Sequence, residues 1–307
     1  MHVSAHEMGG KPYMWINASS EWDIFIWRAM MKTLLRLLQR FYNWGLCYRD
    51  STRSVGLIRI GLVLLIWARW AGELILCRDI RLSTILLNSA FFLLTGLMCV
   101  GLWTRVSSVG TAVIVSILFN LHESFRHNHT FLLVMAILFI ALTPCGRSYS
   151  LDRWLALRRA LKSGVPPPPE IGNLWGLRLI AIQLSTVYFW TASAKLYWGF
   201  LSGAGLELLV YNYYAGYDYA SIPGFSALCF IAAITTVILE FSLAFGLYIP
   251  KLRKYLMPAG IILHILFYVL LPIRTFTLTM ILLYLAFIPA ASVHRFIDNM
   301  HAGYQPA

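Results

Sequence analysis

Lys195 is the residue of this sequence that most calls for a chemical explanation, because it follows about twenty apolar residues. The run ends as V-Y-F-W-T-A-S-A-K-L-Y-W over residues 187–198. A charged lysine in hydrocarbon costs roughly 2.5–3.5 kcal/mol on insertion scales unless it reaches the headgroups or a partner. A desolvated lysine also loses its proton more readily than an exposed one, so it can act as a base or nucleophile near neutral pH. Two roles stay open: chemistry, or anchoring of the helix end by a snorkelling side chain.

Four further polar residues lie inside or beside apolar runs. Asn128 and His129 end the polar cluster H-E-S-F-R-H-N-H-T, where a histidine can pass a proton and an amide can hold a carbonyl group. A cluster that only caps the next helix is the alternative. His264 indicates an interhelical hydrogen bond. Glu240 is expected to pair with an arginine or a histidine, or to stay protonated.

The first apolar run also contains charges, at Arg59, Arg69 and Glu73. Charges within a membrane normally face the bundle interior and pair. Arg69 and Glu73 are four residues apart on one helical face, which predicts a local ion pair.

The sequence gives no support to hydrolase, nucleotide-binding or metal sites, because it has no Ser/His/Asp order, Walker loop or zinc-ligand spacing. Its five cysteines are scattered and resemble apolar fillers. Cys77 and Cys229 are expected on the same side of the membrane, and whether they pair is left open.

Composition indicates a membrane protein with several spans. The 307 residues are 59% hydrophobic and 12% charged, with a net charge of +12 and a mean hydropathy of +0.68. The positive charge is concentrated in alternate loops, which predicts orientation in a membrane and argues against nucleic-acid binding. The polar first residues lack the apolar segment of a cleavable signal peptide.

The predicted fold is an all-α polytopic membrane bundle of about eight helices, preceded by an amphipathic helix over 21–44. That helix has a basic face, which favours the headgroup plane of an anionic leaflet or docking onto the bundle. The predicted spans are 56–77, 82–103, 107–121, 130–143, 174–196, 224–249, 255–271 and 275–292. The segments 145–173 and 199–222 are predicted as long loops, the first stiffened by prolines.

Three parts are expected: an N-terminal tail with its interfacial helix (1–50), the membrane domain (51–293) and a short tail (294–307). Most Lys and Arg residues lie in segments predicted to emerge on one side of the membrane. That side is expected to be cytoplasmic, so both termini lie inside the cell. Lys195 and His129 then share the extracytoplasmic half of the membrane. A shared site requires this, although it does not establish contact.

Several motifs together resemble a known family. They are R-H-N-H-T-F-L-L (126–133), T-P-C-G-R-S-Y-S-L-D-R-W (143–154) and the 187–198 run, joined by S-V-G-L-I-R-I-G-L-V-L-L (54–65), L-E-F-S-L-A-F-G-L (239–247) and L-H-I-L-F-Y (263–268). In order and spacing they resemble the horizontally transferred transmembrane domain shared with vitamin K-dependent γ-carboxylase. The resemblance covers roughly residues 50–292.

The resemblance implies a site at Lys195 and His129. In the carboxylase, a matching lysine is the base that starts oxygenation of the reduced quinone, and a matching histidine assists. Reduced quinone is therefore the implied cofactor. The accompanying substrate contacts are predicted at Asn128, Tyr197, Trp198, His264, Glu240 and Arg59.

In length the chain resembles the bacterial stand-alone branch of this family, which lacks the carboxylase's large extracytoplasmic domain and includes a protein that matures a sporulation-delaying toxin. The expectation is a multi-pass protein of the bacterial inner membrane that modifies an exported peptide, with membrane lipid, a secreted peptide precursor and other maturation proteins as partners. Two alternatives stay open: a non-catalytic factor for peptide export or maturation, and a quinone-binding subunit of a redox complex.

Overall fold

Helices make up most of the described residues, as the apolar runs predict. The computed structural model describes residues 18–79, 81–213, 222–271 and 273–302, with the backbone alone at 18–24, 129, 301 and 302. The chain divides into two compact units, Met1–Cys47 and Tyr48–Ala307. The predicted N-terminal tail lies, up to residue 17, outside the described residues.

The first unit contains the helix α1, Ala18–Gly45. One face of α1 is apolar and exposed, including Trp27, Leu34 and Phe41. The opposite face carries four cations, at Arg28, Lys32, Arg36 and Arg40. This arrangement is typical of helices that lie in a membrane interface, and that location of α1 remains a prediction.

The second unit is a helical bundle with one small sheet. Its elements are β1 Arg49–Ser51, α2 Arg53–Ile75, α3 Leu82–Val100, α4 Thr104–Leu121, α5 Asn128–Ala141, α6 Leu151–Ser163, β2 Ile171–Asn173, α7 Trp175–Ala194, α8 Trp198–Leu201, α9 Ala204–Tyr213, α10 Phe225–Gly246, α11 Pro250–Leu270, α12 Arg274–Leu283 and α13 Ala290–Ala302. Strands β1 and β2 pair antiparallel, with Asp50 opposite Gly172. Because α2 and α7 each follow one of these strands, both helices begin at the same end of the bundle.

That end, called the strand end here, is closed by ion pairs and hydrogen bonds between segments distant in sequence. Arg53 pairs with Glu170 at 2.8 Å and with Asp298 of α13 at 2.5 Å. Arg253, near the start of α11, donates to the carbonyl of Phe287 at 2.6 Å. The opposite end contains the ends of α7 and α11 and the starts of α5, α10 and α12.

Buried aromatic and aliphatic side chains of α2 form the middle of the core. Trp70 is fully buried and stacks on Phe125 at 4.3 Å between ring centroids. The predicted ion pair between Arg69 and Glu73 is confirmed at 2.9 Å. Both side chains also hydrogen-bond Ser124, which ties α2 to the turn before α5.

Five helices of the described residues are long and apolar enough to span a membrane, namely α2, α3, α4, α10 and α11, with up to six spans if one bent pair is counted. The predicted total of eight therefore stays a prediction. The continuous eighth span over 275–292 is wrong, because the chain bends by 98° between Arg274–Ala286 and Ala290–Met300. Pro289 at this bend has no N–H to continue a helix.

The two predicted loops contain helices. Residues 151–163 form α6, whose start is capped by the Ser150 hydroxyl accepting from Arg153 N at 2.9 Å. Residues 204–213 form α9, and its apolar side chains line a cavity of about 450 Å³ together with α10 and Leu270. A cap therefore begins α6, which has no buried residue, whereas apolar contacts with α10 accompany α9. Residues 214–221 lie outside the described part of the chain.

Candidate functional site

Lys195 forms a two-pronged ion pair with Glu240 of α10. Its Nζ lies 2.8 Å from Glu240 Oε1 and 2.7 Å from Oε2, and it also donates to the carbonyl of Thr191 at 3.2 Å. The side chain of Glu240 is 4% exposed and that of Lys195 is 23% exposed. A largely buried ion pair is stable only when its remaining hydrogen-bond donors and acceptors are satisfied.

The position of Lys195 follows from how α7 ends. The helix stops at Ala194, and the backbone N–H of Lys195 still bonds back to the carbonyl of Ala192 at 3.1 Å. Tyr197 then takes an extended conformation and a new short helix begins at Trp198. The lysine thus extends from the last turn of α7 toward α10, with the ring of Phe200 5.9 Å from Nζ.

Tyr188 lies seven residues before Lys195, two turns back on the same face of α7. Its hydroxyl lies 2.6 Å from Nε2 of His264 on α11 and 2.5 Å from the hydroxyl of Tyr284. All three side chains are buried. Among the described residues, His264 Nδ1 has no hydrogen-bond partner.

Gly260 makes room for this cluster. A Cβ atom at position 260 would lie 2.0 Å from the Tyr284 hydroxyl, which is closer than any side-chain carbon can approach. Rings of Phe267 and Phe276 pack edge-on against His264 at 6.0 and 6.2 Å between centroids. The hydrogen-bonded cluster is therefore surrounded by apolar rings.

A cavity of about 420 Å³ lies beside both groups. Its walls are mostly apolar and come from α5, α7 and α12: Asn128, Phe131, Leu132, Thr186, Val187, Trp190, Thr191, Ile273 and Phe276. Thr191 connects the cavity to the ion pair, since its carbonyl accepts from Lys195. Phe276 connects it to the cluster, since its ring packs on His264. The arrangement places a small-molecule-sized cavity beside an ion pair and a hydrogen-bonded cluster of titratable side chains.

Comparison with known families gives one match: the model of the HTTM domain matches residues 79–291. This is more than two thirds of the chain. The protein belongs to the HTTM family. The resemblance to the membrane domain of the vitamin K-dependent carboxylase is thereby confirmed, whereas the bacterial branch remains a prediction. No curated protein and no solved structure matches the chain.

The HTTM match includes Lys195, Glu240, Tyr188, His264 and Tyr284. Arg59 on α2 precedes it and lies near the strand end, far along the bundle from Lys195. Its guanidinium donates to the carbonyls of Cys145 at 2.8 Å and Tyr149 at 2.5 Å, and it approaches that of Cys99 at 3.5 Å. These contacts hold the ends of α3 and α5 together, so Arg59 is not part of the site described here.

The remaining residues predicted to contact the substrate differ in their relation to the cavity. Asn128 lines the cavity at the first residue of α5. His129 is the second residue of α5, and its side chain lies outside the described residues. Tyr197 and Trp198 are 57% and 78% exposed at the start of α8. They form the rim of this end of the HTTM domain rather than the walls of its cavity.

Tyr188, Thr191, Phe276 and Tyr284 belong to the site and were not predicted from the sequence. Helical periodicity could have indicated Tyr188, because it is seven residues from Lys195. Tyr284 gave no such signal, since it lies where α12 passes into a 3-10 turn. In the described part of the chain, all five cysteines are free thiols, and no group of three or more metal-ligating side chains lies together.

Proposed function

We propose that this HTTM protein is a membrane enzyme that removes a proton from a hydroxyl group of an apolar substrate such as a reduced quinone. The observation that carries the proposal is the Lys195–Glu240 pair, joined through Thr191 to a cavity open to apolar molecules. Mostly apolar walls with a few polar groups suit a substrate dissolved in the bilayer. Asn128, Thr186 and Thr191 supply the polar groups.

Lys195 and Glu240 act as one proton acceptor in this proposal. The pair carries one proton in common, either as ammonium and carboxylate or as amine and carboxylic acid. In both forms it accepts one more proton to become ammonium and carboxylic acid. The proton taken from the substrate hydroxyl leaves a positive charge on the Lys195 ammonium, and this charge stabilises the substrate anion beside it.

The buried cluster of Tyr188, His264 and Tyr284 has a supporting role. Its hydroxyl groups and the imidazole form a continuous hydrogen-bonded chain beside the cavity. Such a chain fixes the ring of His264 and holds α7, α11 and the end of α12 together. Polar groups at membrane depth are expensive, which favours a functional reason for retaining three of them.

An exported peptide is the second substrate in this proposal, handled at the end of the bundle that contains Lys195. The concentration of Lys and Arg at the strand end supports an extracytoplasmic location for the opposite end. Modification of a secreted peptide in the bacterial inner membrane accords with this orientation. The protein would then work with the enzymes that make and release the peptide.

Oxygen uptake tests the proposal. The protein is reconstituted in lipid nanodiscs with a reduced naphthoquinone, and wild type is compared with Lys195→Met, Lys195→Arg and Glu240→Gln. Lys251→Met and Glu207→Gln remove the same charges outside the site and serve as controls. We expect wild type and controls to consume oxygen and form the quinone epoxide, and the three site variants to fail while still folded. A silent wild type would end the hydroquinone assignment.

A non-catalytic membrane factor for peptide maturation is the second candidate, and one observation favours it. An ammonium group has three donors, and Lys195 has three acceptors: two Glu240 oxygens and the Thr191 carbonyl. A completed ion pair can simply clamp α7 to α10. In that case Lys195→Arg should preserve peptide maturation in cells. An enzyme whose shared proton can leave the Lys195 amine should lose it, because a guanidinium stays protonated.

A further inference from the structure

A second, smaller cavity lies at the strand end, on the side of the bundle away from Lys195. Its volume is about 120 Å³, and it is lined by Tyr48, Arg178 and Arg253 together with the segment 286–290. Pockets for drug-sized molecules measure about 300–1,000 Å³. This cavity therefore has room for one small group only.

Two guanidinium groups line it from different helices. Arg178 is in the first turn of α7, with its guanidinium carbon 4.0 Å from the centroid of the Tyr48 ring. Arg253 is in the first turn of α11 and donates one Nη1 hydrogen to the Phe287 carbonyl. Both side chains are partly buried. Two like charges directed to one partly buried space repel each other unless an anion lies between them.

The carboxylate of Asp50 lies close enough to act electrostatically on Arg178. One of its oxygens accepts from the Tyr48 hydroxyl at 2.6 Å and the other from the backbone of Ser51 at 2.7 Å. Within the described residues, Arg253 forms no salt bridge. The described residues that line the cavity include two arginines and no carboxylate, so its walls are formally positive.

We propose that this cavity binds one phosphate-type anion, either the headgroup of an anionic phospholipid or free phosphate. Planar guanidinium groups bind phosphate oxygens through paired N–H donors. The strand end is the predicted cytoplasmic end, where the leaflet carries anionic lipids. The first residue of α13, Ala290, also borders the cavity, so the partial positive charge of that helix start adds to the two arginines.

Thermal unfolding of the full-length protein in nanodiscs tests the site. One arm has phosphatidylcholine alone, a second adds inorganic phosphate at matched ionic strength, and a third includes phosphatidylglycerol. We expect the second or third arm to raise the wild-type Tm by a few degrees, since a ligand of the folded state stabilises it. Arg178→Gln and Arg253→Gln should lose this rise. Lys251→Gln removes an exposed charge from the same helix as Arg253 and should keep it.

The arms also distinguish the source of the anion. A rise with phosphatidylglycerol alone identifies a lipid headgroup, and a rise with inorganic phosphate as well identifies a site for the free anion. No rise in either arm, or an equal rise in wild type and Arg253→Gln, overturns the proposal.

A second measurement uses wild type alone, so it tests the site even if the arginine variants fail to fold. Phenylglyoxal modification is followed by mass spectrometry with and without the effective ligand. Protection of Arg178 and Arg253, with exposed Arg159 reacting unchanged, supports the site. Equal modification of all three arginines refutes it.

Discussion

The ammonium of Lys195 contacts both carboxylate oxygens of Glu240, although 45 residues separate the two along the chain. The pair connects the end of α7 to the C-terminal half of α10. A lysine after a long apolar run and a glutamate inside another are each costly alone. Together they form one ion pair, and the Thr191 carbonyl that accepts from Lys195 belongs to a residue that lines the neighbouring cavity.

Breaking the pair from one side should destabilise the protein more than removing it altogether. Glu240→Gln leaves the Lys195 charge without its counterion, and loss of one partner of a buried pair costs about 3–5 kcal/mol. The double variant Lys195→Met with Glu240→Gln should be more stable than the sum of the single effects predicts. A double-mutant cycle of unfolding free energies in detergent measures this coupling. Additive effects would contradict a direct pair.

The Tyr188 hydroxyl should be the most sensitive atom of the buried cluster, because it contacts both His264 and Tyr284. Tyr188→Phe deprives two buried groups of a partner, at about 1–3 kcal/mol for each group. Tyr284→Phe leaves the bond between Tyr188 and His264 intact and should cost less. Tyr211→Phe is the matched control, because the Tyr211 side chain on α9 is exposed. Equal Tm values for the Tyr188 and Tyr284 variants would argue against the central position of the Tyr188 hydroxyl in the cluster.

The sequence predicted the parts of this site whose signal is local. Lys195 and Glu240 were recognisable as polar residues in apolar runs, and Asn128 as the start of a helix. Their partners were not recognisable, because pairing depends on which helices pack together and at what register. Nothing in the residues around 240 specifies contact with α7 rather than with another helix.

The fold was likewise predictable only where its signal in the sequence is local. Apolar runs indicated the long helices, since length and hydropathy largely determine them. The bend at Pro289 and the helices α6 and α9 depend on caps and on packing against the bundle. The continuous span over 275–292 was wrong for that reason: hydropathy continues through the bend, whereas the backbone does not.

Gly260→Ala should disturb the cluster without removing any polar group. The new methyl group would fall 2.0 Å from the Tyr284 hydroxyl, so Tyr284 or α11 must shift, at about 1–3 kcal/mol for such overpacking. Gly96→Ala on α3 is the control, because a Cβ there meets nothing within 4 Å. It should be neutral or stabilising, since alanine favours a helix. Equal decreases in Tm for Gly260→Ala and Gly96→Ala would refute the close approach of Gly260 to the Tyr284 hydroxyl.

Arg59→Lys should weaken the fold rather than the chemistry. A single ammonium cannot reproduce the fork that reaches the carbonyls of Cys145 and Tyr149, and loss of one charged hydrogen bond costs about 1.5–3 kcal/mol. Arg105→Lys, exposed at the same end, should have no comparable effect. Tm is expected to fall while the substrate KM of the remaining folded protein stays unchanged. A raised KM at wild-type Tm would instead return Arg59 to the substrate site.

The two ends of the bundle should lie on opposite sides of the membrane, with the strand end inside. This follows from the concentration of Lys and Arg there, because positive loops stay in the cytoplasm. In a variant without native cysteines, Lys162→Cys on α6 tests the strand end and Glu123→Cys before α5 tests the other. A membrane-impermeant maleimide added to intact cells should label position 123 alone, and inverted vesicles should give the reverse pattern. Labelling of position 162 in intact cells would invert the orientation, and the Lys195 site would then face cytoplasmic substrates instead of an exported peptide.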